Sequence, residues 1–127
     1  MNATMNATAR SLIIKAQDSI DTAKKFMGDE TQHDTVGYNL AQAAEFFLKA
    51  LLSIKNIDFP DGPDSHDLDS LMELLEENNM TAISSHADVV ELTPYNNATA
   101  KVRKSERLDL KEFLSHVEEL KKFIATM

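Results

Sequence analysis

The residues with the widest chemical range are four histidines, three arginines and a Glu–Lys pair spaced by four. The chain has no Cys, which excludes disulfides, thiolate metal sites and a cysteine nucleophile. His66 stands in Ser65-His66-Asp67-Leu68, after a loop that holds Pro60 and Pro63 and at the predicted start of a helix. A neutral imidazole there can cap the helix or satisfy a loop carbonyl. His33, His86 and His116 stand alone and read as surface or helix-boundary residues. Glu45 and Lys49 fall one helical turn apart. They form either a surface pair contributing ~0.3–0.5 kcal/mol or the polar lining of a cleft. Asp58, Asp61, Asp64 and Asp67 recur every third residue, whereas a calcium loop needs ligands at alternate positions and a closing Glu. A His-Asp pair without a third ligand is equally poor for zinc, so neither a metal nor a cofactor is expected. Lys101, Arg103, Lys104, Arg107 and Lys111 gather five of the chain's 13 Lys and Arg residues, which read most simply as a solvated loop and the first turn of the last helix, or alternatively as a patch for phosphate.

Charge is distributed unevenly along the 127 residues, whose formal net charge is −8. Residues 1–57 carry six acids and six bases, residues 58–91 ten acids and no Lys or Arg, and residues 92–127 five acids and seven bases. An acidic chain does not coat nucleic acid nonspecifically. The acidic middle third is instead a solvated face or a dock for a basic partner. The length suits one domain with its own core. No apolar run approaches the ~20 residues of a membrane span, and the start lacks a signal-peptide layout, so a cytoplasmic location is expected.

Those side chains need helices to place them. Apolar residues recur at helical spacing over about 8–27, 34–55, 66–78 and 109–125, with a short helix near 81–91. Asp34 or Thr35 is expected to cap the second helix, Asp64 with Asp67 the third, and Asp109 with Glu112 the last. Gly28 suits the position just past the first helix, where φ is often positive. The second helix is apolar nearly all round; from Gln42 through Glu45, Lys49 and Ser53 its polar residues form one narrow stripe. Such a helix is central, and the run Phe46-Phe47-Leu48 cannot face a single core, which points to a second subunit. Residues 92–104 read as irregular. No segment alternates as a strand does. The expectation is an all-α up-and-down bundle of four long helices plus a short one, spanning 9–127. The repeated Met-Asn-Ala-Thr at 1–4 and 5–8 makes residues 1–8 a frayed extension.

Residues Ala41-Gln-Ala-Ala-Glu-Phe-Phe-Leu-Lys-Ala-Leu-Leu52 resemble the signature helix of HEPN-domain proteins, and Ser65-His66-Asp67-Leu68 stands where that family carries a Thr/Ser-His-Asp-Leu motif. The resemblance implies a helical bundle that forms a homodimer. It implies as partner a minimal nucleotidyltransferase, in a toxin–antitoxin or nucleotide-linked pair, with nucleotide or RNA as ligand. Many family members are metal-independent RNases with an Arg, four to six residues, then a His; others are non-catalytic. Here no Arg precedes a His at that spacing, and Arg107 and His116 have eight residues between them. Where many members carry Ala-Arg-Tyr-Pro, this chain reads Ala100-Lys101-Val102-Arg103.

Cleaving RNA without metal requires a base for the 2′-hydroxyl and a cation for the developing charge. Lys101 or Arg103 is the candidate cation and His66 the candidate base, but no base is placed by spacing. The reading is therefore a non-catalytic dimeric partner that takes nucleotide or RNA phosphate at Glu45, Lys49, His66, Asp67, Tyr95, Lys101, Arg103 and Lys104. The alternatives are a metal-independent endoribonuclease and a ligand-free scaffold dimer.

Overall fold

A computed structural model describes residues 6–127. Its regular elements are all helical: α1 (Ala7–Phe26), α2 (His33–Ile54), α3 (Leu68–Glu77) and α4 (Leu110–Ala125), joined by shorter 3-10 segments. Of the frayed extension expected over 1–8, residues 1–5 lie outside the described residues. Ala7 and Thr8 already form the first turn of α1, because the Asn6 side chain accepts from the Ala9 backbone N–H at 2.8 Å. The same Asn6 accepts from the Ser53 hydroxyl at 3.0 Å, which ties this turn to the end of α2.

Helix α2 lies at the centre. It packs on α1, α3, α4 and the 3-10 segment Thr81–Tyr95. Leu40, Phe47, Leu48, Leu51 and Leu52 are all buried, as the apolar circumference requires. Of the aromatic pair, Phe47 is wholly buried, while Phe46 is only half-buried at the edge of the core. Lys24 of α1 meets Glu118 of α4 at 3.1 Å, and Lys121 of α4 donates to Gln17 of α1.

Two of the three expected caps differ, and the Asp109 cap of α4 stands. No side chain caps α2: Asp34 lies inside its first turn, and its carboxylate accepts from Val102 N–H at 3.3 Å, which pins the 100–103 loop to the helix. A 3-10 turn over Gly62–His66 precedes α3, so His66 lies outside the helix. Asp67 caps α3 by itself, accepting from Asp69 N–H and the Ser70 hydroxyl. Asp109 caps α4 through Lys111 and Glu112 N–H. Gly28, past the end of α1, has φ +93°, as expected. The short helix near 81–91 is a 3-10 segment that runs on to Tyr95, kinks at His86 and contains Pro94, so residues 92–95 are less irregular than expected.

Candidate functional site

The polar stripe of α2 does not face open water. Glu45, at 3% exposed, is the buried charged residue of the core. Its carboxylate accepts from Lys49 Nζ at 2.8 Å, Asn96 Nδ2 at 2.9 Å and His66 Nδ1 at 3.1 Å. Gln42 Nε2 reaches the same carboxylate at 3.5 Å and donates to Asn96 Oδ1 at 2.6 Å. Asn96 also donates to the His66 backbone carbonyl at 2.9 Å. Three separate parts of the chain thus meet on one carboxylate: the α2 stripe, the turn before α3, and the end of the long 3-10 segment. The i,i+4 spacing of Glu45 and Lys49 brings them together, and the loops laid over them exclude water. A surface pair is therefore the wrong description, since the Lys49 side chain is only 13% exposed.

Burial alone pushes the Glu45 carboxyl up. The hydrogen bonds from Lys49, Asn96 and His66 outweigh that and hold it below the ordinary glutamate range. A carboxylate only accepts, so His66 Nδ1 must donate, and in the neutral ring the lone pair then sits on Nε2. The His66 side chain is 65% exposed. The cluster is a sealed base of charge with an imidazole at its mouth. Lys49 has three N–H donors, and Glu45 is its hydrogen-bond partner among the described residues.

The other anticipated site residues lie elsewhere. Asp67 is committed to capping α3. Tyr95 is buried, and its hydroxyl bonds to His33 Nε2 at 2.8 Å and accepts from Leu108 N–H at 3.1 Å, so it anchors the 104–109 connection instead of joining the carboxylate cluster. Burial raises the Tyr95 phenol and lowers the His33 imidazole, the latter helped by nearby Arg107. His33 is a helix-boundary residue, the first of α2, as expected, but it is not isolated. Lys101 is exposed beside Asp34, Tyr38 and Asn39, around an open groove of about 640 Å³. Arg103 is exposed and approaches Glu106 at 3.8 Å, and Lys104 is exposed in the short turn that follows. No hydrogen bond or ion pair among the described residues joins Lys101, Arg103 or Lys104 to His66.

The basic cluster is also divided, because Arg107 pairs with Glu30 at 3.2 Å across a different cleft. One site member, Asn96, escaped the sequence, and another, Gln42, was not counted among the site residues. Gln42 was visible as part of the stripe, three residues before Glu45. Asn96 lies 51 residues beyond Glu45 in a segment without periodicity, and no local pattern marks it.

No group of three or more His, Asp or Glu residues suited to a metal occurs among the described residues, and no helix there is long and apolar enough to cross a membrane. No curated protein and no solved structure matches the chain. The family model of the HEPN domain matches residues 9–126, nearly the whole length, and with the central α2 and the Ser65-His66-Asp67-Leu68 turn in place the chain belongs to the HEPN domain family.

Proposed function

We propose that this HEPN-domain chain is an up-and-down bundle that works as a homodimer, binds the phosphate of a nucleotide or RNA, and serves as the non-catalytic partner of a minimal nucleotidyltransferase. The observation that carries the binding is the Glu45 cluster, in which a buried carboxylate fixes an ammonium and an outward imidazole side by side. Phosphate contact would recruit the spare Lys49 donors and His66. The ten acids of residues 58–91 suit a basic protein partner. The absence of an Arg followed by a His at the family's catalytic spacing argues against cleavage.

One observation favours the endoribonuclease reading. Glu45 orients His66 so that Nε2 faces away from the carboxylate, the arrangement of a general base. Titration calorimetry with ADP and a short single-stranded RNA, alongside a cleavage assay, separates the two. The expected result is binding without cleavage. Lys49→Gln, which swaps the cation for a neutral amide, and His66→Ala are each expected to weaken it about 10- to 100-fold, as loss of a charged hydrogen bond does. No binding of either ligand overturns the proposal; cleavage that His66→Ala abolishes replaces it with the enzyme.

Half-buried Phe46 and Ile14, which is 64% exposed on α1, are the apolar residues offered for a second copy. Phe46→Glu is expected to yield a monomer by sedimentation while the wild type sediments as a dimer. An unchanged dimer mass removes Phe46 from the interface.

A further inference from the structure

Beside the Glu45 cluster lies a ring that neither the core nor the polar network accounts for. Phe59 is 37% exposed, and with Ile14 it is one of two large apolar side chains left open among the described residues. Its ring centroid is 5.9 Å from Lys49 Nζ, the outer limit of a cation–π contact. Lys49 therefore stands between two groups. On one side is the Glu45 carboxylate, which Lys49 shares with the His66 imidazole at 3.1 and 3.2 Å from its two oxygens; on the other is an open aromatic face. The backbone at Phe59 is restricted by Pro60, since the residue before a proline is confined to extended conformations. At that one residue, the backbone thus has little freedom to lose.

Resting on the phosphate-binding reading above, we infer that Phe59 is the platform on which the base of a nucleotide unit stacks while its phosphate takes Lys49 and His66. Every nucleobase has a π-face, and an aromatic side chain accepts any of them, so the platform selects nucleotides as a class without reading sequence. A well-stacked base displaces the distant ammonium from the ring. The ammonium keeps its hydrogen bond to Glu45 and turns its two spare N–H donors to the phosphate. The same chemistry serves a free nucleotide or one residue of a single-stranded RNA.

The chain has no Trp, so Phe59→Trp installs a unique emitter at the platform. Its fluorescence is titrated with ADP, a short oligoadenylate, ribose 5-phosphate and inorganic phosphate. Calorimetry follows the wild type and Phe59→Leu, which keeps apolar bulk but has no π-face. The expected result is that the indole is quenched by ADP or the oligomer and not by the two ligands without a base. Phe59→Leu should bind ADP or RNA about five- to a hundredfold more weakly, the range of one lost stack, while Phe59→Trp retains affinity. Whichever of ADP and the oligomer binds more tightly names the source of the unit, and either supports the platform. Ribose 5-phosphate binding as tightly as ADP, with Phe59→Leu unaffected and His66→Ala impaired, overturns the platform and leaves phosphate binding standing. A wild type that binds none of the four overturns both.

Discussion

Glu45→Ala lowers the stability of the fold by about 3 kcal/mol, the lower end of the cost of breaking a buried ion pair. The carboxylate is the common acceptor for Lys49, Asn96 and His66, and removing it leaves three donors at once without their partner. Two features keep the cost from the upper end of that range, near 5 kcal/mol. Lys49 retains some contact with water, and its stem is long enough to carry the ammonium outward. His66 is already mostly exposed. Asn96 and Gln42 bear the remainder, since Asn96 also spans to the His66 backbone. For a chain of this size the loss corresponds to a melting point lower by roughly 10 °C. A change under about 1 kcal/mol in denaturant unfolding would mean that the cluster is wet and the pair behaves as a surface one.

The same carboxylate sets an acid limb. Its folded pKa lies below the ordinary 4.5, so the unfolded chain binds the proton more readily than the folded one. The stability contributed by Glu45 is therefore complete above about pH 4.5 and is lost as pH falls through the lower folded value. Glu45→Gln has nothing to protonate there. Its stability should be lower at neutral pH and fall less steeply with acid than that of the wild type, a difference that urea denaturation across that range reads directly.

How far the sequence predicts this site depends on the range of each interaction. The buried α2 was legible because its periodicity is local, and so was its narrow polar stripe. The spacing of Glu45 and Lys49 predicts their contact but not their burial, because burial is imposed by chain arriving 21 and 51 residues later. His66 was legible as a special residue through its motif. That it lies in a 3-10 turn and meets Glu45 through Nδ1 depends on the Gly62–Pro63 turn and on Asp67 taking the cap for itself. Clustered sequence position misled in the opposite direction. Lys101, Arg103, Lys104 and Arg107 are neighbours along the chain, but an extended stretch and a short turn point them at different partners, Arg107 to Glu30 and Arg103 to Glu106. Tyr95 and Asn96 are adjacent and diverge for the same reason: one side chain enters the core toward His33 and the next turns to Glu45.

Gly37→Ala destabilises the fold by about 2 kcal/mol, although the same change inside an exposed helix stabilises by ~1 kcal/mol. Gly37 is buried in α2 with ordinary helical backbone, so its conformational freedom is not what is needed there. What is needed is the absent Cβ. A methyl placed there would lie 2.6 Å from Tyr95 Cγ and Cε1 and closer still to Cδ1, well inside van der Waals contact. The ring has little room to retreat, because its hydroxyl is tied to His33 at 2.8 Å and to Leu108 N–H at 3.1 Å and the side chain is fully enclosed. Overpacking of ~1–3 kcal/mol, plus strain on those two hydrogen bonds, exceeds the gain in helix propensity. A double-mutant cycle with Tyr95→Ala isolates the cause. Without the ring, Gly37→Ala should become stabilising by roughly 1 kcal/mol, a reversal of sign that the propensity term alone predicts. An equal penalty in both backgrounds would place the conflict with some other neighbour of α2 and sever the link between this glycine and the Tyr95 anchor.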